Sequence, residues 1–468
     1  MNRRRFLASL AASALALRCA RAHALQQVIA FQPDASLPPV PSDFIGLSYE
    51  SAQLANPAFF SPQNPALIAL FRELSPRGNL RIGGGSSEFT TFTSDAPPTP
   101  PPFEVFGPDT SKIVKTGTTT TALALRNLRG FLDATGWSCL YGLNLGQGTA
   151  ANAAGEAAAV QRILGPRLLA FQIGNEPDSF RNRYRPATYT PADYISEWNH
   201  FHDTVALAVP GARFAGPDIS NKLPYLTAFA QEALRHPDVT LLTSHYYAMG
   251  PAGSPHATLD NLLSDDPVSS TLKNRDLSVI EEACDTAHLP YRMSEGNSCW
   301  NGGQSGVSDV YASALWSAGY ILRCMNRGWA GVNFHGGGDG VYAPIAGAPS
   351  RGFTRRPEFF GVCFVQRFAG ASLIRTKLIE TKDRVDAFAF SHRGEQELVI
   401  VNRSLDEIQL ALPAGITAAK TSILHAPALD AKDGIEISKS HNAYKSSVTA
   451  SPYTANIYAL RGLALKKT

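Results

Sequence analysis

From residue 44 to residue 335 the chain alternates short apolar runs, each closed by turn residues, with segments of helical periodicity. That alternation fits βα units and suits neither a sandwich nor a helix bundle. The apolar runs fall at 44–50, 79–84, 138–145, 168–175, 213–218, 239–247, 290–295 and 329–335. Helix-period segments between them include 65–74, 119–134, 157–164, 192–209, 226–235, 272–288 and 310–327, and 357–369 reads as a closing helix. Eight such units predict a closed (β/α)8 TIM barrel, in which the carboxyl ends of the strands carry the chemistry.

Two of those strand ends carry carboxylates. In FQIGNEPDSF, residues 171–180, Gly174 and Pro177 stop an apolar run and leave Asn175 and Glu176 at its carboxyl end. In YRMSEGNSCW, residues 291–300, a second short run ends in Glu295. A carboxyl pair facing one sugar from two strands is what a glycosidase needs, one group donating a proton and the other acting as nucleophile. This reading calls for no cofactor and no metal. Among the cysteines, Cys139, Cys284, Cys299, Cys324 and Cys363 lack metal-ligand spacing and read as buried small residues. The run Gly83-Gly84-Gly85 precedes no Gly-Lys-Ser/Thr and is not a phosphate loop.

The ends of the chain differ from its middle. Arg3-Arg4-Arg5-Phe6-Leu7, an Ala/Leu run and Ala22-His23-Ala24 read as a Tat-type export signal over 1–24, implying a periplasmic or extracellular protein. Its removal takes the formal net charge from +3 to −2, because its five arginines meet no acid. A nucleic-acid partner is then not favoured, and no later apolar run is long enough to span a membrane. Residues 25–40 hold one strand-like run, expected to pair elsewhere in the chain; 41–370 form the barrel. From 371 to 468, alternating runs with turns every 8 to 12 positions predict an antiparallel β-sandwich. One connection, 88–115, is Pro-rich and long, and projects from the carboxyl face of the barrel.

Six stretches in this order carry a resemblance: GLSYES (46–51), LRIGGGSSEF (80–89), IGNEPDSF (173–180), TSHYYA (243–248), SEGNSCWNGG (294–303) and GGGDGVYAP (336–344). Together they resemble the retaining clan A glycosidases, and within them glycoside hydrolase family 79, the β-glucuronidases and heparanases. The resemblance implies that Glu176 is the acid/base, Glu295 the nucleophile, Asn175 the partner of the sugar 2-hydroxyl and Tyr246 a tyrosine that holds the nucleophile. It places Tyr342 and the backbone of Asn301 and Gly302 around a uronate carboxylate, with Glu50 and Glu88 at the sugar site. His245 and His335 stand at strand ends, where a substrate contact and a satisfied rim histidine are both open. The expected partner is a glucuronic-acid-containing glycan or glycoside, attacked in exo fashion. Arg181, Arg183 and Arg185 would instead suit a sulfated chain and a heparanase-like endo mode. A sugar-binding protein without catalysis is the third reading.

Overall fold

The computed structural model describes residues 27–32, 38–94, 117–264, 277–337, 340–379, 384–392 and 394–463. The export signal and most of the Pro-rich connection lie outside the described residues. The chain forms two compact units.

The larger unit, residues 37–373 and 424–437, is the barrel. Its strands are β1 (Ile45–Glu50), β2 (Asn79–Gly83), β3 (Ser138–Leu143), β4 (Leu168–Ile173), β5 (Phe214–Ile219), β6 (Val239–Tyr247), β7 (Tyr291–Asn297) and β8 (Gly331–His335). They close into a barrel in sequence order, every pair parallel, β8 returning to β1 with Val332 opposite Ile45. All eight coincide with the apolar runs to within a few residues.

Helix boundaries depart from apolar periodicity where caps decide them. Ala122–Thr135 begins three residues late because Thr118–Thr121 forms a strand with Thr90–Thr93, and Thr121 then caps the helix by accepting from Ala124 N–H. Ala150–Leu164 begins seven residues early: Ala carries little periodic signal but is the best helix former, and Thr149 caps the helix. Pro191–Ala208 opens on a reciprocal capping box, Thr190 with Asp193.

The smaller unit, among the described residues 27–32, 374–379, 384–392, 394–423 and 438–463, is built on a nine-stranded, predominantly antiparallel sheet around one apolar core that includes Ile29, Ile374, Leu398, Ile400, Leu410, Val448 and Tyr458. The amino-terminal strand Gln27–Gln32 pairs antiparallel with Ser372–Ile379 and parallel with Ile408–Ala411. The segment 424–437 departs from the expected sandwich and groups with the barrel. Helix Tyr311–Asn326 begins after Val310, which has no side chain to cap it. Carbonyls of Ala431 and Leu429 accept from Tyr311 and Ala312 N–H at 2.8 and 3.0 Å instead, satisfying donors that every helix start leaves open.

Candidate active site

Glu176 owes its placement to the turn after β4. Gly174 takes φ +84° and Glu176 itself takes φ +51°, ψ +53°, a left-handed conformation costing on the order of 1–3 kcal/mol for a non-glycine residue. Its N–H donates to the carbonyl of Asp218 at 2.9 Å and its carbonyl accepts from Ser179, so neighbouring strand ends hold the conformation. An oxygen of Glu176, a nitrogen of His245 and an oxygen of Glu295 lie within 4.8 Å of one another.

Arg81, fully buried on β2, organises the floor beneath that pair. It donates to Glu295 Oε2 at 2.5 Å, to Asn175 Oδ1 at 2.7 Å, to Ser48 and Gln172 at 3.1 Å each, and to Asp218. One planar guanidinium thus fixes groups from β1, β4, β5 and β7. Its charge is matched by two buried carboxylates, which is what lets it sit in the interior. Gln172 in turn donates to Asp218 and to Thr243 Oγ1 at 2.6 and 3.1 Å.

The same network separates the protonation states of the two glutamates. Burial alone would raise Glu295, but His335, His245 and Arg81, together with the Tyr247 hydroxyl donating at 2.8 Å, bring its carboxyl down to about 2. Glu176 is raised by burial and by the Glu295 and Asp178 charges, a rise that His245 opposes through its 2.9 Å hydrogen bond. Burial works against the His245 imidazolium, yet Glu295 and Asp218 raise it to about 10. The network thus drives the two carboxyls apart, Glu295 toward the ionised form and Glu176 toward the protonated form, with His245 Nε2 3.2 Å from Asp218 Oδ1.

The other residues expected at the site divide by what they touch. Tyr246 is a correction: its ring stacks on Tyr320 of helix Tyr311–Asn326, centroids 5.1 Å apart and planes 8° apart, and the tyrosine that donates to Glu295 is Tyr247. Side chains alternate along β6, so the face that turns Thr243 and His245 inward also turns Tyr247 inward. Tyr342 is buried beside the nucleophile candidate, its ring centroid 6.4 Å from that of Tyr247 and 5.9 Å from that of His335. Asn301 and Gly302 both have left-handed backbones, and the Gly302 carbonyl accepts from Val341 N–H at 2.6 Å, so the loops after β7 and β8 meet next to Tyr342.

Glu50 accepts from the Ser86 N–H at 2.7 Å and from its hydroxyl, and lies 3.7 Å from His335 Nε2. Gly84, at φ +72°, leaves no room for a Cβ against the Glu50 carboxyl, which explains one glycine of the triple run. Glu88 is buried, accepting from the N–H groups of Asn175, at 2.5 Å, and Gly146; burial against these donors leaves its carboxyl at about 7. It braces the Asn175–Glu176 segment from below. Sequence reasoning passed over Arg81 and Asp218. The available signal was a charged residue inside an apolar strand, Leu80-Arg81-Ile82, since an arginine buried there must have ionic partners.

A parallel (β/α)8 barrel that brings two carboxyls together at the carboxyl ends of its strands, one pushed toward the ionised form and the other toward the protonated form, is the arrangement that glycosidases employ. Comparison with known proteins adds a direction. No family model matches the chain. It is 25 % identical over 312 residues to a β-glucuronidase of Neurospora crassa, covering 60 % of this chain and 54 % of that protein. It is 24 % identical over 349 residues to a β-glucuronidase of Aspergillus niger, covering 67 % and 62 %. The match thus spans a little over half the length of each relative. Among solved structures, a 4-O-α-L-rhamnosyl-β-D-glucuronidase from Fusarium oxysporum superposes with TM-score 0.71 at 17 % identity, covering 93 % of this chain and all of that one. An arabinofuranosidase from Xanthomonas axonopodis pv. citri gives 0.69 at 14 %, covering 93 % and 100 %. At these identities the structural likeness is one of fold.

Proposed function

We propose that the protein is a retaining exo-β-glucuronidase, exported by its Tat-type signal, that removes terminal β-D-glucuronic acid from glycans or glycoconjugates. The observation that carries this is the Glu176–Glu295 pair, one oxygen of each carboxyl lying within 4.8 Å of the other. A retaining pair stands about 5–5.5 Å apart, whereas an inverting pair needs about 6.5–9.5 Å to admit a water. Glu295, ionised and held by Arg81 and Tyr247, attacks the anomeric carbon as Glu176 protonates the leaving oxygen. Glu176, then a carboxylate, takes a proton from the water that cleaves the glycosyl ester. Asn175, fixed by Arg81 through its Oδ1 and by Glu88 through its N–H, is set to meet the sugar 2-hydroxyl.

Selection of glucuronate rests on the similarity to the two fungal β-glucuronidases and on Tyr342 standing where the loops after β7 and β8 meet. Neutral donors suffice there because hydrogen bonds to a carboxylate are roughly twice as strong as neutral ones. Two of the three arginines that would favour a sulfated chain have other work, while Arg183 stays exposed over the Tyr184 ring. Arg181 donates to the Tyr189 carbonyl, and Arg185 pairs with Glu197 at 2.7 Å and donates to three carbonyls. This supports exo over endo action. Incubation with an aryl β-glucuronide, the matching β-glucoside and heparan sulfate chains tests the reading: release from the glucuronide alone is expected. Shortening of the polysaccharide would favour the endo mode, and no release from any of the three would overturn the proposal.

A further inference from the structure

A second cluster of potential ligands lies at the opposite end of the barrel. Asp238 immediately precedes β6, and its carbonyl accepts from the N–H of Phe214, the first residue of β5. His202 comes from helix Pro191–Ala208 and His236 from the turn after helix Leu223–Ala233. One ligand atom from each of His202, His236 and Asp238 lies within 4.8 Å of the others.

The hydrogen bonding of His202 makes the cluster unusual. Its Nδ1 is 3.0 Å from Asp203 Oδ1, and its Nε2 is 3.1 Å from both carboxylate oxygens of Asp238. A neutral imidazole has one donor and one acceptor. Whichever nitrogen carries the proton, the other lone pair faces a carboxylate, Asp203 or Asp238; with the proton on Nδ1, a positive centre fits between Nε2 and Asp238. A second ring proton could supply it, and so could a metal ion. His236 fits the metal, because a second imidazole standing beside the first, ring centroids 4.3 Å apart, offers a further nitrogen ligand.

We propose that His202, His236 and Asp238 form a binding site for a zinc-type divalent ion at the amino end of the barrel. Two imidazoles and a carboxylate are a donor set that zinc accepts, a water completing the tetrahedron. Neighbouring ligand atoms around such an ion sit roughly 3.3 Å apart, close to the 3.1 Å between His202 and Asp238. The outer contacts also fit: Asp203 orients His202, Glu232 lies 3.3 Å from His236 Nε2, and Asn199 donates to Glu232 at 2.9 Å. Trp198 stacks on His202 at 4.8 Å and 24°, fixing the ring. Asp238 and His236 keep 30 % and 15 % of their side-chain surface exposed, which gives the ion a way in. The amino face of a barrel serves stability, so the ion belongs to the scaffold.

The test uses the full chain, freed of metal by a chelator and titrated with Zn(II) by calorimetry and with Co(II) by visible absorption. We expect one Zn(II) per chain, a higher Tm with zinc, and affinity that falls as the pH is lowered because the ion displaces protons. Asp238→Asn, which keeps the shape of the side chain, and His236→Ala should each weaken binding by at least about 100-fold. Glu295→Gln should leave it unchanged. Zinc binding weaker than about 10 μM in the wild-type chain would overturn the site. So would affinity that survives both substitutions, or that is lost on Glu295→Gln, which would put the ion at the carboxyl end.

Discussion

His245 Nδ1 lies 2.9 Å from Glu176 Oε1 and 3.9 Å from Glu295 Oε1, so one imidazole touches the acid candidate and stands over the nucleophile candidate. The contact lowers Glu176 against the rise that burial and Glu295 impose. In His245→Gln the opposing contribution is gone, and Glu176 must rise further. The alkaline limb of kcat/KM for an aryl glucuronide, which follows loss of the Glu176 proton, should move to higher pH. A limb that stays in place would remove His245 from control of the acid.

Tyr247 and Tyr246 make a paired test of the β6 register. Tyr247→Phe takes a hydroxyl from an ionised buried carboxylate, a hydrogen bond worth about 1.5–3 kcal/mol, and should lower kcat/KM by about one to two orders of magnitude. Tyr246→Phe keeps the stack on Tyr320 and should cost far less. Steady-state kinetics on both variants decide it, and the reverse order would reinstate Tyr246 as the residue that holds Glu295.

Tyr342→Phe addresses the choice of glucuronate over glucose. The two sugars differ at C6, so a donor aimed there acts only on the acid. Activity on an aryl glucuronide should fall about 10- to 100-fold, while the rate on the matching glucoside, near background in the wild type, should not change. Equal loss on both substrates would make Tyr342 part of the general architecture.

Glu156 gives a prediction about stability. Buried, and accepting from the Tyr141 hydroxyl at 2.7 Å, it is raised to about 7. A carboxyl whose folded pKa exceeds its unfolded value binds more protons when folded, so its contribution is fully present below about pH 4 and is lost as pH rises through 7. That loss is about 3 kcal/mol. Glu156→Gln should remove it, so the difference in unfolding free energy between variant and wild type grows in favour of the variant between pH 5 and pH 8. A difference that does not change with pH would place the proton elsewhere.

The two catalytic candidates were legible because an apolar strand that stops at Gly-Asn-Glu-Pro or Glu-Gly-Asn announces a polar group at a barrel mouth. Arg81 was legible only as a charge inside an apolar strand, because nothing in sequence points to the Asp218 and Glu295 that accompany it from 137 and 214 residues away. Tyr246 was chosen through resemblance, whereas strand alternation counted from His245 selects Tyr247. The segment 424–437 reads as part of a β module by composition, and its attachment to the helix after Val310 depends on an uncapped helix start elsewhere in the chain. His202 and the His236-Pro237-Asp238 run lie 34 residues apart without short metal-ligand spacing, so only the packing of two helices and a strand end brings them together.

Double displacement by Glu295 and Glu176 fixes the stereochemistry of the first-formed product. Hydrolysis of an aryl β-glucuronide followed by proton NMR within the first turnovers, before mutarotation, should show β-glucuronic acid appearing first. First appearance of the α anomer would mean a single inverting displacement and would rule out Glu295 as the nucleophile.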